Sequence, residues 1–285
     1  MNVKHVYYRN SPNNFGDLLN IDYFRKLSNI EAVYTNRKQA EVIAIGSLLS
    51  GFYSRRWSLK RLMLFLAKPL IVWGSGFIKD EENNEKLFRR LDVRAVRGYH
   101  TLSRIKDNPM VEIAENVAVG DPGLLVPKLF NVKHIKKRYK LGIVPHFIDN
   151  DNALLNNIKV DNSIVINVLS DSETFINKLA QCEFILSSSL HGLVTADSLS
   201  IPNVRMIVSG KVKGGDYKYD DYYSVFGIEH HDRVFLNESS FTDRDISQLK
   251  DKYCISEEKV KDIQYRLLQT YPYELTKPIQ EILAH

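Results

Sequence analysis

Short apolar runs alternate with polar turns and amphipathic stretches along the first half of the chain, which is the pattern of strands feeding helices in a mostly parallel sheet. Residues 4–8, 41–45, 70–73, 93–96 and 117–119 are predicted strands. Most of them run into glycine-containing or polar turns: Gly46-Ser47, Gly74-Ser75-Gly76, Arg97-Gly98 and Gly120-Asp121-Pro122-Gly123. Ligands of open α/β sheets gather outside such carboxyl ends. The basic, aperiodic stretch 131–139 reads as a linker. Beyond it a second series follows, with strands at 141–144, 163–167, 184–187 and 204–208, a helix near 174–181 and another starting at Leu190. Val260, Ile263, Leu267 and Leu268 have helical spacing behind a Ser256-Glu257-Glu258-Lys259 start, which predicts a closing helix. The expected division is an N-terminal α/β lobe over 1–130, a C-terminal α/β lobe over 131–255, and a helical tail over 256–285.

Composition supports this division. The 285 residues are 44% hydrophobic and 26% charged, enough for a large core. Single cores stop growing at roughly 250–300 residues, where chains divide. A net charge of +5, from 39 basic and 34 acidic residues spread along the chain, excludes nucleic acid as a partner and fits anionic small molecules or an acidic membrane surface. Cys182 and Cys254 lack paired spacing, so a reducing, cytoplasmic location is expected. No apolar signal core precedes Val6-Tyr7-Tyr8. The most hydrophobic stretch, 59–73, is broken by Lys60, Arg61, Lys68 and Pro69 and falls short of the ~20 apolar residues that span a bilayer. Arg55, Arg56, Trp57, Lys60 and Arg61 beside Leu62, Met63, Leu64 and Phe65 have two readings. One is peripheral contact with the inner face of the membrane or a lipid-linked acceptor; the other is an amphipathic helix packed on the sheet.

The segment with most chemistry is Phe184-Ile185-Leu186-Ser187-Ser188-Ser189-Leu190-His191-Gly192, a buried strand that breaks into three serines and starts a helix. Hydroxyls and backbone N–H groups at a helix N-terminus gather negative charge, and His191 lies in the first turn, where it faces the same ligand. The plainer reading makes the serines helix caps and packs His191 against the sheet. Asp17 opens the first helix, as a cap or as a group that orients acceptor hydroxyls. Arg97 after a strand end is a fork for carboxylate or phosphate, or a surface ion pair. His146 is a second imidazole after a strand, structural or phosphate-binding. Lys213-Gly214-Gly215-Asp216-Tyr217-Lys218 is a flexible basic loop. Asp149-Asn150-Asp151 offers a carboxylate pair for a divalent ion, although a solvated turn is the simpler account, and His230-His231-Asp232 reads as a loop. No cysteine and histidine cluster suits zinc, so no metal or cofactor is expected.

Taken together, Ser187-Ser188-Ser189-Leu190-His191-Gly192-Leu193-Val194-Thr195-Ala196-Asp197, Asn14-Phe15-Gly16-Asp17, Gly74-Ser75-Gly76, Val96-Arg97-Gly98, Gly120-Asp121-Pro122, Val144-Pro145-His146-Phe147 and Lys218-Tyr219-Asp220-Asp221-Tyr222-Tyr223-Ser224 resemble, in order over about residues 3–227, the polysaccharide pyruvyl transferase family. The resemblance implies two Rossmann-like lobes facing a cleft, similar to the two-lobed (GT-B-like) glycosyltransferases. It implies phosphoenolpyruvate as donor, a sugar or lipid-linked oligosaccharide as acceptor, and a cyclic ketal formed on two sugar hydroxyls in exopolysaccharide or capsule biosynthesis. It marks His191 and Asp17 as catalytic. Arg97, His146, Ser187, Ser188, Ser189, Lys213 and Lys218 become donor-binding, and Asn14, Gly74, Ser75 and Asp121 acceptor-binding. Some members carry arginine where Ser189 stands, so another cation must grip the donor here, with Arg97, Lys213 and Lys218 as the candidates. Two rivals stand beside this reading: a nucleotide-sugar glycosyltransferase on the same scaffold, and a catalytically silent glycan-binding subunit.

Overall fold

Two large sheets organise the chain, each parallel throughout, in a computed structural model that describes residues 2–8, 14–56, 63–80, 85–132, 134–229, 231–237 and 240–284. Asn13, the 57–62 part of the basic patch (Trp57, Lys60, Arg61, Leu62) and His230 lie outside the described residues. Internal contacts divide the chain into a first unit of Met1–Pro122, Gly214–Glu229 and Lys261–His285, and a second of Gly123–Lys213 and His230–Val260.

The first unit holds β1 (Asn2–Val6), β2 (Ile30–Tyr34), β3 (Val42–Ile43), β4 (Leu70–Ser75), β5 (Leu91–Val96) and β6 (Val111–Val119), in the order β2-β1-β3-β4-β5-β6. The second holds β7 (Tyr139–Val144), β8 (Ser163–Val165), β9 (Cys182–Ser187), β10 (Asn203–Ile207) and β11 (Arg233–Phe235), in the order β8-β7-β9-β10-β11. The two orders follow one rule: the first strand sends the chain to one side, and the third returns on the other. A topological switch point therefore lies between β1 and β3, and another between β7 and β9, where the loops leaving adjacent strand ends diverge.

Strands with both faces covered have near-continuous apolar runs. Leu141 and Ile143 on β7, Phe184 and Leu186 on β9, and Val204 and Met206 on β10 project alternately into one buried cluster with Phe241 and Ile246. Edge strands lack that signature. In β2 only Ile30 is buried, and β11 is a three-residue edge, so neither pattern predicts a strand. The described β6 is also longer than the predicted 117–119, because its first half is exposed or half-buried.

The stretch 131–139 is stitched into the second unit. The Lys137 ammonium donates to the carbonyls of Ala180 and Cys182 at 3.0 and 2.7 Å, and Arg138 and Tyr139 N–H both reach the Gln181 carbonyl. Burial lowers the Lys137 pKa. The tail forms the expected helix, Glu257–Gln269, and its Leu267 carbonyl accepts the Trp73 indole N–H at 3.0 Å.

The return of residues 214–229 to the first unit centres on a buried ion pair. Arg97 follows β5, and both it and Asp221 are wholly buried. Nε and Nη2 lie 2.9 and 2.8 Å from Asp221 Oδ2, Nη1 donates to Ser47 Oγ at 2.7 Å, and Nη2 donates to the Phe77 carbonyl at 2.6 Å. Thr101 adds its backbone N–H to Asp221 Oδ1 at 2.8 Å and its hydroxyl to Oδ2 at 2.7 Å. Glycines clear the space: a Cβ on Gly98 would sit 1.7 Å from the Asp221 carbonyl oxygen, and one on Gly76 2.6 Å from the Arg97 guanidinium carbon. The charge of Arg97, expected to grip a donor, is thus met in this structure by a carboxylate sealed from solvent.

Removing one partner of such a pair leaves an uncompensated buried charge, at a cost of ~3–5 kcal/mol. Asp221→Asn and Arg97→Met are each expected to lower unfolding free energy by about that amount in denaturant titration, and Arg97→Met/Asp221→Leu to recover part of it. A second prediction concerns the cysteines. Burial pushes the Cys182 thiol up to about 12, whereas Cys254 is exposed. Native protein treated with iodoacetamide at mildly alkaline pH should take one alkyl group, at Cys254. Cys182 should react only after denaturation, as read by peptide mass.

Candidate functional site

At the switch point of the second unit, Val144 of β7 lies in register with Ser187 of β9, so the loops carrying His146 and the triple serine leave side by side. Ser187 is wholly buried. Its hydroxyl lies 3.1 Å from the Val144 carbonyl and 2.9 Å from the Ser189 carbonyl, and accepts the Ser189 N–H at 3.0 Å. Ser188 is also buried; its N–H reaches the Val144 carbonyl at 3.1 Å and its hydroxyl accepts the His146 N–H at 2.8 Å. These two hydroxyls bind the loops to each other.

Ser189 stands at the N-cap of the Leu190–Ser198 helix with extended backbone and no side-chain capping bond, half-buried. Its carbonyl accepts the N–H groups of Gly192 and Leu193 and so starts the helix. His191 is in the first turn. It is half-buried, with Nε2 shielded from solvent. Gly192 determines how close this turn comes to the sheet, because a Cβ there would lie 2.5 Å from Ser187 Oγ and 3.0 Å from a Val144 methyl. The positive end of the helix and an imidazole are thereby held directly over the strand ends.

His146 is half-buried, its ring centroid 4.3 Å from that of Phe147. Its Nδ1 accepts the Ile148 N–H at 3.3 Å, which caps the short Phe147–Asp149 turn. A neutral ring with Nδ1 accepting carries its proton on Nε2. Lys213 is exposed, beyond β10.

Asp149 departs from its sequence reading as a solvated turn residue. It is buried; Oδ1 accepts from the Ser209 hydroxyl, and Oδ2 is buried with no hydrogen-bond partner among the described residues. Ser209 Oγ also accepts the Lys211 N–H at 3.3 Å, so Asp149 ties the loop after β10 to the loop after β7. Asp151 is exposed, and no group of three or more metal-ligating side chains occurs among the described residues.

In the first unit the expected site residues also cluster at strand ends, with different tasks. Asn14 and Asp17 form a capping box on the Phe15–Ser28 helix: Asn14 Nδ2 donates to Asp17 Oδ2 at 2.6 Å and Asn14 Oδ1 accepts the Asp17 N–H at 3.3 Å. Asp17 is largely buried. After burial itself, its charge is the next cause raising the Tyr8 pKa. Asn20, which no motif flagged, is wholly buried and exchanges two bonds of 3.1 and 3.0 Å with the Ile45 backbone, fixing the loop after β3 to this helix. Gly74 has φ of +89° and lies against Pro122, where a Cβ would meet a ring carbon at 2.1 Å. The Ser75 hydroxyl donates to the Gly46 carbonyl at 2.8 Å and accepts the Leu48 N–H at 3.2 Å. Gly74 and Ser75 therefore hold the turn together. Asp121 is wholly buried, and its charge adds to burial in pushing up the Tyr23 hydroxyl. Lys218 is buried, its ammonium 5.0 Å from the Tyr219 ring centroid.

The chain is 30% identical over 176 residues to uncharacterized protein L143 of Acanthamoeba polyphaga mimivirus, a match over 57% of this chain and 56% of that protein. It is 25% identical over 235 residues to succinoglycan biosynthesis protein ExoV of Rhizobium meliloti (strain 1021), over 81% of this chain and 67% of that one. A crystal structure of a functionally uncharacterized protein of Klebsiella pneumoniae subsp. pneumoniae NTUH-K2044 shares 15% identity with a TM-score of 0.42, covering 82% of this chain and 92% of that chain. The family model described as polysaccharide pyruvyl transferase matches residues 2–210, which include both switch points, the buried arginine and the serine-histidine turn, and the chain belongs to the polysaccharide pyruvyl transferase family.

Proposed function

We propose that the protein moves a pyruvyl group from phosphoenolpyruvate onto two hydroxyls of a sugar, closing a cyclic ketal during assembly of a surface polysaccharide, exopolysaccharide or capsule, in the cytoplasm. The observation that carries this reading is the half-buried His191 imidazole at the N-terminus of a nine-residue helix, over a strand switch point that His146 and Ser189 share. Family membership and the similarity to a succinoglycan biosynthesis protein support the same chemistry. Reading the two units as the lobes of a glycosyltransferase-like fold belongs to this proposal.

The reaction needs a proton at the methylene carbon of the enol phosphate, stabilisation of the resulting oxocarbenium-like centre, and removal of two hydroxyl protons. One hydroxyl oxygen bonds to the central carbon, the phosphate leaves, and the second oxygen completes the ketal. Of the two hydroxyl hydrogens, one ends on the new methyl group and the other on the released phosphate. His191 delivers the proton. A helix N-terminus disfavours imidazolium, and a bound phosphate and carboxylate favour it, so the acid form builds up when donor is present. His146, with Nδ1 occupied by the Ile148 N–H, presents Nε2–H to the donor anion. Asp17 has its carboxylate in the capping box, so proton transfer is assigned to His191 alone. Arg97 and Lys218 are buried, which leaves Lys213, exposed and in the same unit as His191, to replace the arginine that some members carry at position 189.

Incubation with phosphoenolpyruvate and candidate glycan intermediates should release inorganic phosphate and add the mass of a ketal; turnover of a sugar nucleotide with nucleotide release would assign the protein to a different donor. His191→Ala is expected to slow phosphate release by about 10²–10⁴-fold, the range for a general acid. An unchanged pH–rate profile would remove His191 from the chemistry. Lys213→Ala should raise KM for phosphoenolpyruvate by roughly 10–100-fold, the worth of a charge-assisted hydrogen bond, with a smaller effect on kcat. Adding Ser189→Arg to that variant should restore much of the loss, read in the same steady-state assay.

A further inference from the structure

We propose that a basic and apolar patch on the first unit docks the protein on an anionic lipid surface. The segment following the undescribed residues buries only Leu64. Its neighbours Met63, Phe65 and Leu66 are 48%, 49% and 77% exposed. Large apolar side chains thus project outward on both sides of Leu64, an arrangement that marks a contact surface.

Arg89 fixes the base of this projection. Its guanidinium is buried and donates to the carbonyls of Lys68 at 2.9 Å, Arg37 at 2.6 Å and Ala40 at 2.6 Å. The Leu70 N–H reaches the Arg90 carbonyl at 2.9 Å, so the apolar turn is anchored next to the segment that contains Lys86 and Leu87. That segment pairs antiparallel with Tyr53–Ser54, which places Lys86 opposite Ser54, the residue preceding Arg55 and Arg56. Arg55, Arg56, Lys68 and Lys86 are all exposed. Glu85, the acid beside Lys86, is engaged by the Arg104 guanidinium at 2.6 Å. The surface thus combines protruding apolar groups with cations from both strands of the pair and from the base of the turn.

This combination selects the partner. A two-fold contact with a second copy would bring these cations against cations of the same kind, whereas an anionic headgroup layer neutralises them while the apolar side chains enter the acyl boundary. The inference uses nothing from the second unit and stands or falls separately from pyruvyl transfer.

Flotation of the full chain tests it. Wild type is expected to float with phosphatidylglycerol-containing vesicles at low salt and to stay behind with phosphatidylcholine alone. Phe65→Ser/Leu66→Ser should cut vesicle binding by at least about tenfold, since each change removes apolar area worth more than a factor of ten when buried. Arg55→Glu/Arg56→Glu should weaken it by a similar factor and reduce its salt sensitivity. Phe235→Ser, on an equally exposed aromatic of the second unit, should leave binding unchanged. All these positions are exposed, and circular dichroism checks that each variant folds. Failure of wild type to bind anionic vesicles overturns the proposal, as does wild-type binding by both double variants. Self-association that is lost in Phe65→Ser/Leu66→Ser, without vesicle binding, overturns it in favour of a second copy.

Discussion

Sealing the Arg97 guanidinium against the Asp221 carboxylate takes two charges out of water, and the first unit is arranged around the cost of doing so. Ion pairs of this depth recover their desolvation only when the remaining donors and acceptors are satisfied. Ser47, Phe77 and Thr101 provide those bonds, and glycines at 76 and 98 provide the room. The pair joins residues 124 apart in sequence and so draws the segment 214–229 back to a sheet that the chain left long before. Three of the family-like motifs, around Gly76, Arg97 and Asp221, are therefore parts of one joint. Their residue types look like ligand chemistry because burying a charge and binding an ion make the same demands on geometry.

The second unit secures its strand ends by neutral means. Ser187 and Ser188 use their hydroxyls on backbone groups of adjoining loops, which costs far less desolvation than an ion pair. Two serines thus take the place of a charged joint, and the turn can carry His191 half-exposed. Asp149 is the exception. Its carboxylate is buried, with Oδ1 accepting from the Ser209 hydroxyl. It sits three residues past His146 and holds the loop that leads to Lys211, so a buried carboxylate lies in the frame of the proposed site.

What was legible in the sequence follows from what leaves a local trace. Strands 70–73, 141–144 and 184–187 are covered on both faces, and burial on both faces forces a continuous apolar run. The edge strands β2 and β11 are exposed over most of their length and carry no such run. The closing helix was visible because Val260, Ile263, Leu267 and Leu268 form one apolar stripe. Roles were harder to read than positions. His191 could be placed at a helix start from spacing, yet nothing local distinguishes an arginine that meets a ligand from one that meets Asp221 far along the chain. The grouping of residues 214–229 with the first unit leaves no local trace for the same reason, and neither do the bonds from Lys137 to backbone carbonyls in the basic stretch 131–139.

The serine at position 189 acquires a physical sense from this geometry. A guanidinium at the N-cap would stand at the positive end of the Leu190–Ser198 helix and two residues from His191, and both would oppose protonation of the imidazole. With serine there, the cation proposed to hold the donor comes from Lys213, on the loop beyond β10. Under the proposed reaction His191 meets less fixed positive charge before the donor arrives, and the donor's phosphate and carboxylate become the dominant influence on its protonation. In the proposed reaction, this couples the arrival of the substrate to the appearance of the acid that the enol phosphate requires.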